Sequence, residues 1–235
     1  MNERTAHTEG TEILSFRDAS VIAPPPYEYG LENVSLLLKA GELALVSVER
    51  GHGLSPLADA AQGLVEAAGG EILFLGENWL ALRPRDAARA RGKIGRVFMT
   101  GGWISNLNVD ENITLPLRHH SGLSADEIAA AARKTGEFFG LKELPNIRPA
   151  LLQKAILRRA EWTRAFLGEP ALIILEEPLR DAYIDVLHYL IKGIAGALVR
   201  GAAVLWISGD FPDLSAVRLS PLKRYRLKGP RLEQS

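Results

Sequence analysis

Residues 43–57 read Leu-Ala-Leu-Val-Ser-Val-Glu-Arg-Gly-His-Gly-Leu-Ser-Pro-Leu, which is an apolar run, a glycine turn and the beginning of an alanine-rich segment. A strand, a glycine turn and a helix in this order are the setting of a phosphate-binding loop, whose motif is Gly, four residues, Gly, Lys, then Ser or Thr. Gly53 and Ser55 match that motif and Gly51 adds a further glycine, but Leu54 takes the place of the lysine. Such a loop binds phosphate through backbone N–H groups and a cation, and leucine supplies no cation. The stretch alone is equally compatible with a degenerate phosphate loop and with an ordinary glycine turn.

The composition is that of a folded protein with a sizeable core and no net charge. The chain has 235 residues, of which 47% are hydrophobic, so it can bury the core of one α/β domain. Lys plus Arg equals Asp plus Glu at 28 each, so charge gives no reason to expect a nucleic-acid partner. The absence of cysteine excludes disulfides and thiolate metal sites. No apolar run approaches the roughly 20 residues that a membrane span needs.

The order of the segments predicts a single domain with a helical insertion. Residues 1–12 are polar and are predicted to form a disordered N-terminus, with one domain over residues 13–235. Within it, residues 56–68 are predicted as a helix, and residues 100–148 change in character from strands to helices, which predicts an inserted helical lobe. The continuous apolar run in residues 171–178 ends in two carboxylates, as expected of a buried parallel strand.

Several segments, in their order and spacing, resemble landmarks of the nucleotide-binding subunits of ATP-binding cassette (ABC) transporters. They are Gly41-Glu42-Leu43, Gly70–Gly76, Ile94–Phe98, Leu107–Leu117 and Leu172–Pro178. The resemblance covers about residues 13–230 and implies an α/β fold, with a P-loop NTPase-like core, an antiparallel β lobe and an inserted helical lobe. The family's activity implies ATP hydrolysis between two such subunits that face each other head to tail.

The resemblance also assigns roles to individual positions, and at most of them this chain departs from the family's pattern. The departures are Leu54 for the phosphate-loop lysine, Met99 for the glutamine that contacts metal and water, Gln153, Lys154 and Ala155 for the signature serine and two glycines, Glu176 for the magnesium-holding aspartate, and Gly209 for the histidine after the last core strand. Glu177 matches the family's catalytic glutamate. The adenine-stacking aromatic has two candidates, Tyr27 and Tyr29.

These departures predict a degenerate subunit. Losing one preorganised donor costs on the order of 2.7–4 kcal/mol of barrier, and losses at chemically distinct roles leave little catalysis. We therefore assign no catalytic residue, interpret Glu177 as a vestige and Gly51, Gly53 and Ser55 as a vestigial phosphate loop, and expect no cofactor. The alternative is an active ATPase with an atypical site, which would use ATP and magnesium, with Glu177 as the base and a cation lent by a partner.

The resemblance implies membrane partners. The helical lobe would bind a transmembrane permease subunit, and a flat face would bind a second nucleotide-binding subunit, identical or different. That arrangement places the protein in the cytoplasm, peripheral on the inner face of the membrane. The stretch Asn112–His120 is most similar to subunits of the bacterial lipid-trafficking importers that work with mammalian-cell-entry (MCE) proteins, which implies lipid transport. A soluble regulator that never meets a membrane is the remaining alternative, and neighbouring genes for a permease would distinguish the two.

Overall fold

The computed structural model describes residues 10–49, 54–182, 184–214, 219 and 221–235. These residues form ten β-strands and six α-helices. The strands are β1 Glu12–Val21, β2 Leu31–Lys39, β3 Leu43–Val48, β4 Gly69–Phe74, β5 Glu77–Asn78, β6 Ile94–Val97, β7 Leu172–Glu176, β8 Ala203–Ser208, β9 Leu222–Lys228 and β10 Arg231–Gln234. The helices are α1 Leu57–Ala61, α2 Pro84–Arg91, α3 Val109–His120, α4 Ala125–Phe138, α5 Lys154–Phe166 and α6 Leu187–Val199.

Two sheets build the α/β body, as the sequence predicts. One is antiparallel, with the strand order β2-β1-β4-β5. The other has the order β10-β9-β3-β8-β7-β6, in which all neighbouring strands are parallel except the closing pair β9 and β10. Since the parallel strands run in one direction, the carboxyl ends of β3, β8, β7 and β6 meet at one edge, where α/β proteins place their sites.

The parallel sheet is covered on both faces, which explains its continuous apolar strands. Every residue of β7 and β8 is buried. Side chains alternate between two cores: Ile174 packs with α1 and the antiparallel sheet, whereas Ile173 and Leu175 pack with α5 and α6. Glu176 continues this alternation on the side of α1, so its carboxylate is directed into the space between α1 and the end of the sheet.

The two helices between β6 and α5 each begin at a well-defined N-cap. Helices α3 and α4 lie within residues 100–148, the range predicted for the helical lobe, and pack with α5 around a small core of their own. The Ser-x-x-Glu spacing of Ser124 and Glu127 predicts a capping box at the start of α4, and the structure has it. Asn108 with Glu111 forms a second capping box at the start of α3.

Two boundaries differ from those predicted. Helix α1 ends at Ala61 rather than near residue 68, because Gly63 adopts a left-handed backbone (φ +64°). The Gly63 N–H donates to the carbonyl of Ala60 and the next N–H to Asp59, which is a Schellman motif. At the N-terminus, β1 begins at Glu12, one residue before the predicted domain start, and residues 1–9 of the predicted disordered segment lie outside the described residues.

Candidate functional site

The sheet edge that carries the candidate site holds six of the thirteen residues selected from the sequence around one cleft. Its lining residues are Glu28, Val48, Glu49, Leu54, Ser55, Leu57, Met99, Glu176, Glu177, Arg180, Ile207, Gly209 and Leu227. Gly51 and Gly53 of the predicted phosphate loop lie outside the described residues. The signature positions Gln153, Lys154 and Ala155 do not line this cleft.

The described end of the glycine turn lacks the features that hold a phosphate. Leu54 is 37% exposed and adds an apolar side chain to the cleft, and its carbonyl accepts a hydrogen bond from the backbone N–H of Glu28 (3.2 Å). Pro56 has no N–H and directly precedes α1, which has only five residues, so little of the helix dipole that attracts an anion is present. The Ser55 hydroxyl is buried without a hydrogen-bond partner among the described residues.

A buried arginine, Arg96 on β6, occupies the space beside the Glu176 carboxylate. Its Nε donates to Oε2 of Glu176 (2.7 Å), and its Nη1 donates to Oδ1 of Asp59 (2.5 Å) and to Oε1 of Gln62 (2.9 Å). The Arg96 side chain is 6% exposed, and its guanidinium stacks on the Phe98 ring at 4.5 Å from the centroid. Three elements, β6, β7 and α1, therefore meet at one guanidinium group.

Ionisation in this cluster is set by burial and by the opposed charges. Burial works to lower the pKa of the Arg96 guanidinium, but Glu176 and Asp59 outweigh it, so this pKa lies above its ordinary value. Burial raises the pKa of Glu176, against the effect of Arg96 and of the N–H of Met99. Arg96 is thus the positive charge that the two carboxylates require inside the fold.

The proline-rich loop between β1 and β2 is fastened to the same cluster. The Tyr27 hydroxyl donates to Oδ2 of Asp59, the carboxylate that Arg96 holds through its other oxygen. Burial and this hydrogen bond raise the pKa of Tyr27. Of the two aromatics proposed for adenine, Tyr27 is engaged with α1, and Tyr29 is 40% exposed; neither lines the cleft.

Glu177, at the position of the catalytic glutamate, is held against the loop that follows β8. Its Oε2 accepts from the Ser208 hydroxyl (2.9 Å), and its Oε1 accepts from the backbone N–H of Gly209 (2.7 Å). The residue has a left-handed backbone (φ +44°), and its N–H donates to the Ile207 carbonyl (3.0 Å). Both carboxylate oxygens are thereby turned toward β8, where the chain has glycine in place of the family's histidine.

Met99 and the signature segment contribute no polar side chain that could orient water or phosphate in the cleft. The Met99 carbonyl accepts from Arg180 Nη1 (3.3 Å). At the start of α5, Gln153 occupies the N-cap position without a side-chain cap, and Lys154 is the first helical residue. The Lys154 side chain is 80% exposed, with its Nζ 3.9 Å from Oδ1 of Asp181.

Carboxylates outnumber basic side chains among the described lining residues of the cleft. Four carboxylate residues line it, and Arg180 is the one basic side chain among its described lining residues. Glu49 is paired with Arg226 (2.9 Å) and Glu176 with Arg96. A triphosphate would therefore meet carboxylates and apolar side chains where the family's site has a lysine.

The residues of this cleft do not fit the magnesium ion that the family resemblance implies. A divalent cation would have to bind Glu176 while a guanidinium lies 2.7 Å from the same carboxylate, and like charges at that range repel. Within the described part of the chain, no group of three or more His, Cys, Asp or Glu side chains is arranged to hold a metal.

Sequence reasoning missed Arg96 and Asp59, although one signal was visible. Arg96 stands between apolar neighbours in residues 93–98, which are predicted as a strand, and a charge inside a buried strand requires a buried partner. Its partners Asp59 and Glu176 lie 37 and 80 residues away in sequence.

Comparisons with known proteins agree with the fold. A profile of the ABC transporter family matches residues 31–180. The chain is 30% identical over 189 residues to the "Intermembrane phospholipid transport system ATP-binding protein MlaF" of Escherichia coli K12, which covers 79% of this chain and 70% of that protein. It is 32% identical over 147 residues to the "Methionine import ATP-binding protein MetN" of Rhizobium johnstonii. This alignment covers 63% of this chain and 40% of that protein.

Solved structures show the same architecture. The dimeric ATP-binding cassette MJ0796 in a post-hydrolysis state, bound to ADP and Pi, superimposes with a TM-score of 0.81 over 94% of this chain and 98% of that one, at 21% identity. A second dimeric structure of MJ0796 gives 0.80 at 19% identity. No helix in the described ranges is both long and apolar enough to span a membrane.

Proposed function

The chain belongs to the ATP-binding cassette (ABC) transporter family, and on that premise we propose that it is a degenerate nucleotide-binding subunit with a structural or regulatory role in a membrane transport complex. The observation that supports this proposal most directly is how little positive charge the described part of the cleft offers to a phosphate. Leu54 supplies none, and the guanidinium of Arg96 is bonded to Glu176 and Asp59. Arg180, the one basic side chain among the described lining residues, donates to the Met99 carbonyl. Phosphoryl transfer depends on cations placed against the transferring group, so this cleft lacks the main element of that chemistry.

The same features support the proposal that the subunit uses no ATP and no magnesium. A nucleotide would gain no lysine and, in a pair of identical subunits, no signature serine either, since Gln153 stands at the serine position. Glu177, the one retained catalytic group, accepts hydrogen bonds from Ser208 and Gly209 and has no phosphate-binding partner to act with. The fold is retained whereas most positions that would hydrolyse ATP are replaced, as expected of a subunit that is retained for its contacts with other subunits.

We propose phospholipids as the cargo of the complex. Similarity to the MlaF protein and the stretch Asn112–His120 support this choice. The partners would be a transmembrane permease, bound through α3 and α4, and a second nucleotide-binding subunit, identical or different. The protein would then lie on the cytoplasmic side of the membrane, held there by the permease.

Hydrolysis by the purified protein tests the enzymatic half of the proposal. We expect steady-state Mg-ATP turnover no higher than that of the matched variant Glu177→Gln, alone and in the presence of the permease. Turnover that disappears in Glu177→Gln would instead support an active ATPase with an atypical site, in which Glu177 is the base.

Co-purification with a permease subunit, sought first among the products of the neighbouring genes, tests the structural half. Exposed Arg133 and Lys134 on α4 can be reversed together to glutamate, and this variant should lose the permease. The control is Lys228→Glu on β9, which is also exposed and lies outside the helical lobe, and this variant should retain the permease. Equal recovery of the permease with both variants would place the contact elsewhere.

A further inference from the structure

We infer that Arg96 is an internal cation that replaces the divalent metal of the family at Glu176, so that this carboxylate is neutralised by the protein itself and does not depend on metal ions. This inference concerns the cation at the cleft and stands apart from the transport role proposed above. It rests on the convergence of two carboxylates from separate elements on one buried guanidinium.

The first step is the geometry of the two carboxylates. Glu176 at the end of β7 and Asp59 on α1 each place an oxygen within 2.7 Å of an Arg96 nitrogen. The two oxygens lie on different nitrogens of the guanidinium, Glu176 on Nε and Asp59 on Nη1, so both carboxylates border the space that the guanidinium fills. Without Arg96, two carboxylates would face this space, and carboxylates are the donor type that magnesium and manganese prefer.

The second step is burial. The side chains of Arg96 and Glu176 are 6% and 10% exposed, and that of Asp59 is 22% exposed. Charges so far from water cannot be left without a counter-charge, so the two carboxylates need a cation in the folded protein. Arg96 is that cation, and it is covalently part of β6 rather than drawn from solution.

The third step concerns the loop residues that the Arg96 cluster holds in place. Through Asp59, the guanidinium also fixes Tyr27, and the neighbouring Glu28 bonds the Leu54 carbonyl. Side chains therefore tie the loop between β1 and β2 to α1 and to the end of β7, and one backbone hydrogen bond ties it to Leu54. Arg96 already occupies the space beside Glu176, so adding a divalent metal should not change these contacts.

The test uses manganese as the probe, because its electron paramagnetic resonance signal reports binding without any enzymatic assay. The wild-type protein should show no saturable Mn²⁺ binding, and its melting temperature should be the same in Mg²⁺ and in EDTA. Arg96→Gln removes the cation and leaves both carboxylates, so it should bind one Mn²⁺ with a Kd of roughly 1 mM and gain melting temperature with added metal.

The matched control is the double variant Arg96→Gln/Glu176→Gln, in which the Mn²⁺ site should be lost again. A folded Arg96→Gln that binds no Mn²⁺ would overturn the inference. Saturable binding by the wild type that disappears in Glu176→Gln would overturn it as well, because the carboxylate would then be a metal ligand despite Arg96.

A measurement on the wild type covers the case in which Arg96→Gln does not fold. The Nε–H of a buried, ion-paired arginine exchanges slowly and is visible by ¹⁵N NMR. We expect the Arg96 resonance to remain sharp when Mn²⁺ is added, and broadening of that resonance would refute the inference. None of these readouts involves ATP hydrolysis, so an active wild-type ATPase would contradict the proposed function without deciding the role of Arg96.

Discussion

Removing the Arg96 side chain should be one of the most destabilising single changes in this chain. At an effective dielectric constant of about 20, opposite unit charges about 4 Å apart attract by about 4 kcal/mol. Arg96 is within 2.7 Å of Glu176 and within 2.5 Å of Asp59, and its side chain is 6% exposed, so solvent screens these contacts weakly. Breaking a buried ion pair by removing one partner costs about 3–5 kcal/mol. We expect Arg96→Met to lower the free energy of unfolding by that amount.

The loss should depend on pH in a defined direction. Burial already raises the pKa of Glu176, and removing Arg96 takes away the largest opposing influence, so the pKa rises further in the variant. A carboxyl whose pKa is raised in the folded state contributes stability that is present at low pH and is lost as pH rises through that value. Arg96→Met should therefore be less destabilised, relative to wild type, at pH 5 than at pH 8.

Urea unfolding of wild type, Arg96→Met, Glu176→Leu and the double variant measures these terms. The double variant should recover the part of the loss that comes from Glu176, because replacing a buried ion pair by apolar side chains is often neutral, whereas Asp59 still lacks its partner. The resulting cycle gives the coupling between the two residues directly. A loss below about 1 kcal/mol in Arg96→Met, the range of an exposed pair, would refute the reasoning.

Three further predictions concern other parts of the molecule. Leu54→Lys alone should not restore ATP hydrolysis, because Met99 and the signature positions remain altered and residues that act as a unit are not repaired singly. Turnover typical of the family in a steady-state assay would contradict this prediction. Burial raises the pKa of Glu161 to about 7, against the effect of Arg158 and Arg164. The free energy of unfolding should therefore fall as pH rises through 7, by at most about 3 kcal/mol. Urea titrations at several pH values should show this slope in the wild type and not in Glu161→Gln, and an unchanged slope in the variant would contradict the prediction. Gly63→Ala would place a Cβ 2.3 Å from the Trp79 ring at a positive φ, so it should cost about 1–3 kcal/mol, whereas a neutral result in the same assay would show that the turn relaxes.

The parts of this fold that follow local rules were predictable from the sequence. The apolar run before Glu176 predicts a strand buried on both faces, and Ser124 with Glu127 predicts the start of α4; both are confirmed. The end of α1 was predicted wrongly, because the alanine-rich pattern continues beyond Gly63 while the backbone turns there to pack on Trp79.

The site was predictable only as a set of positions. Spacing places Met99, Glu176, Glu177 and Gly209 at strand ends, and the structure brings them to one cleft. Spacing could not indicate what neutralises Glu176, because Arg96 lies 80 residues away and meets it only through the pairing of β6 with β7. The degenerate character of the site remains a proposal that binding measurements can decide.

Calorimetric titration of the isolated wild-type protein with Mg-ATP tests that proposal most directly. The account predicts no saturable heat, because Leu54 provides no cation, the cleft is lined by carboxylates, and Arg96 is already engaged by Glu176 and Asp59. A low-micromolar dissociation constant that requires magnesium would contradict the account, since it would mean that this cleft still serves as a nucleotide site.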